Sequence, residues 1–391
     1  MSLPPLLAYS HHRWESVEPR PRNVLSRLAG SRRVLFIEEP IADAAADAWD
    51  RVARDRNLTI CRPRLRGTVQ GFAPEAHERL AGLLETLATV EGIGRHTAWL
   101  TTPLAYPPAR TLAPDVLVYD CMENLAARRD APSELGELEE RLLRHADLVL
   151  TGGSSLHRAC RERHPNVHCV PNSIDVTHFR RGRTGQPMAD EYADVPRPRL
   201  GYCGVLDERI DFELLSAVAA ERPTWSISLV GPLHGIDAGD LPQAANLRYV
   251  GARLFAELPR HVAAWDLSLL PWRLGETTRA MGATAALEAM AAEHPIVATP
   301  VRDVVEAYED IVHVAEGPEA FIGACERALA STAAERATRT ARMRTVLATT
   351  SWDHTARRIE DHVRHIEDRV SSYGRSLEQT LGTLLRARSE P

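Results

Sequence analysis

Short aliphatic runs alternate with longer stretches of helical period along this chain, and the alternation occurs twice. Residues 34–37, 98–100, 116–119 and 148–151 are apolar runs too short for helices, as expected of strands buried on both faces. Between them, residues 76–90 carry leucines at 80, 83, 84 and 87, and residues 133–146 open on Pro132-Ser133; both read as helices. Residues 180–198 break the pattern, with Gly182, Gly185, Pro187, Pro196 and Pro198 and few apolar side chains. A second series follows, with strand-like runs at 200–204, 226–231, 247–251, 267–270 and 296–298, and then a helical tail at 352–388. Strand–helix alternation requires a parallel sheet with helices on both faces. The expected fold class is therefore α/β: two Rossmann-like, doubly wound domains facing a cleft. The expected units are 1–180, a linker at 181–198, 199–350, and C-terminal helices at 351–391 that cross back.

The chain has 47 basic residues and not one is lysine. That excludes a pyridoxal phosphate Schiff base, a catalytic lysine nucleophile and a Walker-type phosphate loop, all of which need an ammonium group. Any phosphate must be held by arginine, backbone N–H groups or helix N-termini. A net charge of −6 argues against a nucleic-acid partner bound through bulk positive charge. The six cysteines contain no C-x-x-C pair, so neither a zinc ribbon nor a disulfide framework is expected. The first residues lack a basic segment followed by an apolar one and do not read as a signal peptide. No run approaches the roughly 18 apolar residues of a membrane span. The expectation is a cytoplasmic protein with reduced cysteines.

In open α/β sheets, ligands bind beyond the carboxyl ends of strands. The strand ends to inspect are residues 10–14, 120–124, 152–155, 204–209, 231–232, 251–253 and 271–279. The dinucleotide fingerprint G-x-G-x-x-G is absent; Gly201-x-x-Gly204 is the nearest approach, which demotes hydride transfer. No aspartates stand at D-x-D spacing. His164, His168 and Cys169 lack a fourth metal ligand, so no metal and no cofactor is expected.

Several blocks together resemble a bacterial group of GT-B glycosyltransferases close to glycosyltransferase family 4, the teichuronic-acid and exopolysaccharide type. Ala8-Tyr9-Ser10-His11-His12-Arg13-Trp14 with Arg20-Pro21-Arg22 is similar to the group's N-terminal block. Val118-Tyr119-Asp120-Cys121-Met122-Glu123-Asn124, Ala146-Asp147-Leu148-Val149-Leu150-Thr151 and Val170-Pro171-Asn172-Ser173-Ile174-Asp175 follow in order. In the second half come Gly201-Tyr202-Cys203-Gly204 with Asp207-Glu208-Arg209, then Leu229-Val230-Gly231-Pro232 and Trp265-Asp266-Leu267-Ser268-Leu269-Leu270-Pro271. Glu276-Thr277-Thr278-Arg279 and Leu287-Glu288-Ala289-Met290-Ala291-Ala292 complete the collinear set.

The resemblance implies a retaining, metal-independent transferase of hexosyl type. It takes a nucleotide-sugar, by family frequency a UDP-sugar, in its C-terminal domain and a glycan, lipid-linked or small-molecule acceptor in its N-terminal one. Peripheral association with the inner face of the membrane is a further implication. Glu288 would bind the ribose. Arg209 and Arg279 would neutralise the diphosphate, and Gly204, Asp207, Gly231, Thr277 and Thr278 would complete the donor site. Asp120, Glu123 and Glu276 are the candidate catalytic polar groups, and His12, Arg13 and Trp14 the candidate acceptor residues. Two departures stand out. The lysine expected ahead of the Glu288 helix is Ala285, and the position eight before Glu288, where the group carries glutamate, is Ala280. A non-catalytic GT-B protein that binds a nucleotide-sugar, and a GT-B UDP-sugar epimerase, are the alternatives.

Overall fold

Strand-forming runs in the first half of the chain are β1 (Leu6–Ser10), β2 (Val34–Glu38), β3 (Ile41–Ala44), β4 (Ala48–Asp55), β5 (Leu58–Arg66), β6 (Thr97–Leu100), β7 (Val116–Cys121), β8 (Leu148–Thr151) and β9 (Val167–Cys169). In this computed structural model the described residues are 3–15, 19–68, 71–129, 131–180, 187–279 and 283–387, with side chains described to 372 except at 19. Among them, these strands form one sheet in the order β3-β5-β2-β1-β6-β7-β8-β9, with β4 antiparallel on β5. All other pairings are parallel. The side chains of β1 show why the sheet is buried on both faces. Leu6 and Ala8 enter one core cluster and Leu7 and Tyr9 the other, as a two-residue period requires.

A second sheet is built from β10 (Arg199–Cys203), β11 (Ser226–Val230), β12 (Leu247–Gly251), β13 (Leu267–Leu270), β14 (Ile296–Ala298) and β15 (His313–Val314). Its order is β12-β11-β10-β13-β14-β15, all parallel. This is the Rossmann order, in which the chain reverses direction across the sheet between its first and fourth strands. In the first sheet the same reversal falls between β1 and β6.

The hairpin β4–β5 was not expected from the sequence. Its strand Ala48–Asp55 is mostly exposed and carries charges at 50, 51, 54 and 55, so it lacks the apolar run that marks a buried strand. The expected boundary at 180 also shifts. Ile174 and Phe179 pack in the core of the second lobe, so the chain has crossed before the helix Val176–Arg180 begins. Of the expected linker, residues 181–186 lie outside the described residues.

The last helix, Trp352–Ala387, returns to the first lobe. Trp352, Ala356, Ile359, Val363 and Ile366 recur every three or four residues, and that stripe joins the core beneath β1 and β2. Ile359 and Val363 are fully buried, each contributing about 1.5–3 kcal/mol. Arg32 bonds Glu360 (2.9 Å) and Glu367 (2.5 Å) across the same seam.

Candidate active site

The carboxyl ends of the two sheets face each other across a cavity of about 380 Å³. Both reversal points open onto it: His11 and His12 follow β1, Thr101 follows β6, Gly204 follows β10, and Trp272 follows β13. The first lobe adds Arg20, Met122, Glu123 and Asn172, while the second adds Arg209, Gly231, Arg253, Phe255, Thr277 and Glu288.

Arg209 is the most firmly positioned cation of the second wall. Its Nε bonds both carboxylate oxygens of Asp207 (3.0 and 2.9 Å) and its Nη2 reaches Oδ2 at 2.6 Å. Asp207 is 4% exposed and does not line the main cavity, so it holds Arg209 rather than a ligand. Burial works against the Arg209 charge, but the hydrogen bond and charge of Asp207, then Glu123, outweigh it and hold the guanidinium above its ordinary value. Glu288 sits on the helix Thr284–Ala291 and lines the cleft together with Ala285 of the same helix.

Gly204 and Gly231 both have φ in the region that favours glycine, +154° and +152°. A Cβ on Gly231 would come within 1.8 Å of the Gly204 carbonyl oxygen. Their N–H groups are already donated, to Val230 O (3.0 Å) and Gly251 O (3.0 Å). What these glycines offer a ligand is the absence of a side chain, not a hydrogen-bond donor.

Besides Asp207, six of the expected residues lie elsewhere. Asp120 is fully buried and takes both its oxygens to Arg20 (3.1 Å from Nε, 2.9 Å from Nη2). It serves the cleft only by holding Arg20, which does line it. Glu276 is exposed and outside the lining, and so is Arg279. Thr278 is buried, its hydroxyl donating to Arg273 O at 2.5 Å to close its own turn. Arg13 donates to Glu39 O (2.6 Å) and Glu38 Oε2 (3.3 Å), and Trp14 is buried edge-on against Phe36. Both turn toward β2 because Glu38, fully buried, draws the Arg13 guanidinium and the Trp14 N–H. Ala280 lies outside the described residues.

Arg20, His11 and Asn172 lie in the family-like blocks, but the sequence assigned them no site role. His11 carries the clearest signal in hindsight, standing directly after the first strand. Its Nε2 is buried without a protein partner, and burial, then the charges of His12 and Arg128, keeps the imidazole well below its usual pKa. His11, His12 and Glu123 bring metal-ligand atoms within 4.8 Å of one another. The carboxylate they share is already faced by Arg128 (3.5 Å) and Arg209 (3.8 Å), which compete with any cation there.

Residues 197–331 match the family model for glycosyl transferases group 1. The chain is 25% identical over 272 residues to the glycosyltransferase TuaH of Bacillus subtilis, named for teichuronic acid biosynthesis. That match covers 64% of this chain and 68% of TuaH. Sucrose-phosphate synthase from Thermosynechococcus elongatus superposes with a TM-score of 0.74 at 16% identity, covering 94% of this chain and all of that one. A trehalose-6-phosphate structure from E. coli, bound with UDP-2-fluoro glucose, has a TM-score of 0.70 at 15% identity over 92% of this chain and 98% of its own. Two Rossmann-like lobes around a cleft define the GT-B class. The chain has the GT-B fold and is a glycosyltransferase, with the group 1 domain at residues 197–331 of its second lobe. Among the described residues no helix is long and apolar enough to cross a membrane.

Proposed function

We propose that the protein is a retaining, metal-independent glycosyltransferase using a UDP-sugar, with the second lobe holding the donor and the first the acceptor. The acceptor class is a glycan, a lipid-linked sugar or a small molecule, met on the cytoplasmic side at the inner face of the membrane. The observation that carries this reading is the second wall of the cleft, where Arg209 stands pinned by Asp207 and Glu288 faces the same cavity. The UDP moiety is favoured by the E. coli relative whose bound ligand is UDP-2-fluoro glucose.

In this mechanism the bond from the sugar C1 to the phosphate oxygen breaks and a bond to the acceptor oxygen forms on the same face. The acceptor proton passes to the departing phosphate, so no protein nucleophile is required. Arg209 offsets the charge that develops on that phosphate. Glu288 accepts hydrogen bonds from the ribose hydroxyls. Arginines already facing Glu123 leave that carboxylate poorly suited to a divalent ion, which supports metal independence.

A second reading, a non-catalytic protein that binds a nucleotide-sugar, is favoured by Ala285 in the cleft lining, where the related group carries lysine. The epimerase alternative predicts a changed sugar with no acceptor present. Incubation with UDP-, GDP- and ADP-sugars and simple glycosides in excess EDTA separates these readings. Nucleoside diphosphate release with an unchanged anomeric configuration in the product supports the proposal. An inverted product, or activity lost to EDTA and restored by manganese, overturns its finer terms, and binding without release favours the non-catalytic reading.

A further inference from the structure

The helix Ser154–Arg161 starts directly after β8, at the carboxyl edge of the first sheet. The first backbone N–H groups of any helix need partners from outside it. Its N-cap position is Gly153, which has no side chain, and no local side chain caps it. The cap comes from the other lobe. Asp303 Oδ1 accepts from Ser155 N (3.0 Å), Ser155 Oγ (2.5 Å) and Ser154 Oγ (2.9 Å). One turn on, Glu306 Oε2 accepts from Arg158 Nη1 (3.0 Å) and lies 2.8 Å from Ser154 Oγ, whose single proton serves either this carboxylate or Asp303.

Asp303 is 5% exposed, so its cap on half-buried Ser154 and Ser155 is largely withdrawn from solvent, whereas the neighbouring Glu306–Arg158 pair is a surface ion pair. Its second oxygen occupies the space that a side chain at Gly153 would need: a Cβ there would lie 2.1 Å from Oδ2. Gly153 is therefore the socket, and the carboxylate is the pin that fills it. The cleft walls meet at only a few other polar contacts given by the structure, such as Asn172 with Thr284 (3.3 Å) and Arg129 with Glu208 (3.3 Å). Neither is as buried or as many-centred as the Asp303 contact.

We propose that Asp303 is a positioning residue, a cap supplied across the lobes that fixes the angle between them and so holds the two walls of the cleft in register for transfer. It touches neither donor nor acceptor. Its activity consequence rests on the transferase reading above, whereas its effect on lobe orientation does not.

The test compares wild type with Asp303→Ala, Asp303→Asn and Gly153→Ala. Small-angle scattering reports the lobe angle, calorimetry reports UDP binding, and nucleoside diphosphate release reports turnover. Asp303→Ala and Gly153→Ala are expected to give a larger radius of gyration and at least a tenfold fall in kcat. UDP affinity should stay within twofold, because the donor wall is built within the second lobe. Asp303→Asn keeps an acceptor atom at the socket and is expected to lie between wild type and alanine in both readouts. Should Asp303→Ala misfold, Gly153→Ala tests the same contact from the other side without removing a charge. A scattering profile and kcat like wild type in a folded variant would overturn the proposal. Failure of the wild type to bind UDP would instead count against the transferase reading while leaving the scattering comparison decisive for the pin.

Discussion

Arg209→Ala is the substitution on which the donor reading most depends. A charge-assisted hydrogen bond to phosphate contributes roughly 1.5–3 kcal/mol, which is about ten- to a hundredfold in affinity. The structure adds a second consequence. Asp207, 4% exposed, would lose the guanidinium that both its oxygens face, and stranding one partner of a buried pair costs about 3–5 kcal/mol of stability. The two effects separate by comparing UDP with uridine in titration calorimetry. Lost stability lowers the active fraction for both ligands equally, whereas a lost phosphate contact lowers affinity for UDP alone. The preference for UDP over uridine should thus fall by about ten- to a hundredfold. Arg209→Lys keeps a charge without the fork that pairs with Asp207 and should recover part of it. Arg279→Ala, exposed and off the cleft, should change UDP affinity by no more than about twofold. If Arg209→Ala leaves the ratio of UDP to uridine affinity at the wild-type value, the phosphate assignment is wrong.

Glu288→Ala should weaken uridine and UDP by the same factor, about tenfold, because its partner is the ribose; calorimetry with both ligands checks it. Asp120→Ala leaves buried Arg20 without its counter-ion and should cost about 3–5 kcal/mol in urea unfolding, with Asp120→Asn milder. Stability should also fall as pH drops from about 6.5 to 4. Burial, then the charges of Arg339 and Arg327 against the opposing pull of Glu335, lowers His313 to about 4. The unfolded chain therefore takes up the proton first, and stability that is full above the unfolded pKa is lost through that window. His313→Asn should flatten the urea midpoint between pH 7 and pH 5.

Most of the sheet was legible because parallel strands buried on both faces leave largely apolar runs; Leu148–Thr151, Leu267–Leu270 and Ile296–Ala298 fall where the sequence put them. The hairpin Ala48–Asp55 with Leu58–Arg66 escaped notice because its charged side chains pair at the surface, Arg62 with Asp50 across the hairpin and Arg64 with Asp43 of the neighbouring β3. For the cleft, position along the sheet was readable but side-chain direction was not. Gly204, Arg209, Gly231, Thr277 and Glu288 reach the cavity, while Arg13, Trp14 and Thr278, from equally well-placed segments, turn away. Partners distant in sequence decide those directions: Glu38 takes Arg13, and Arg20 takes Asp120. No single-sequence pattern reports a pairing across 100 residues.

The central claim is that the cleft holds a nucleotide-sugar with its diphosphate on the second wall. A crystal structure of the protein grown with UDP-glucose measures this directly. The account predicts diphosphate oxygens within hydrogen-bonding distance of Arg209 and ribose hydroxyls at Glu288, with the sugar turned toward His11 and Glu123. A nucleotide bound outside the cleft, or with its diphosphate on Arg20 and the first lobe, would contradict it.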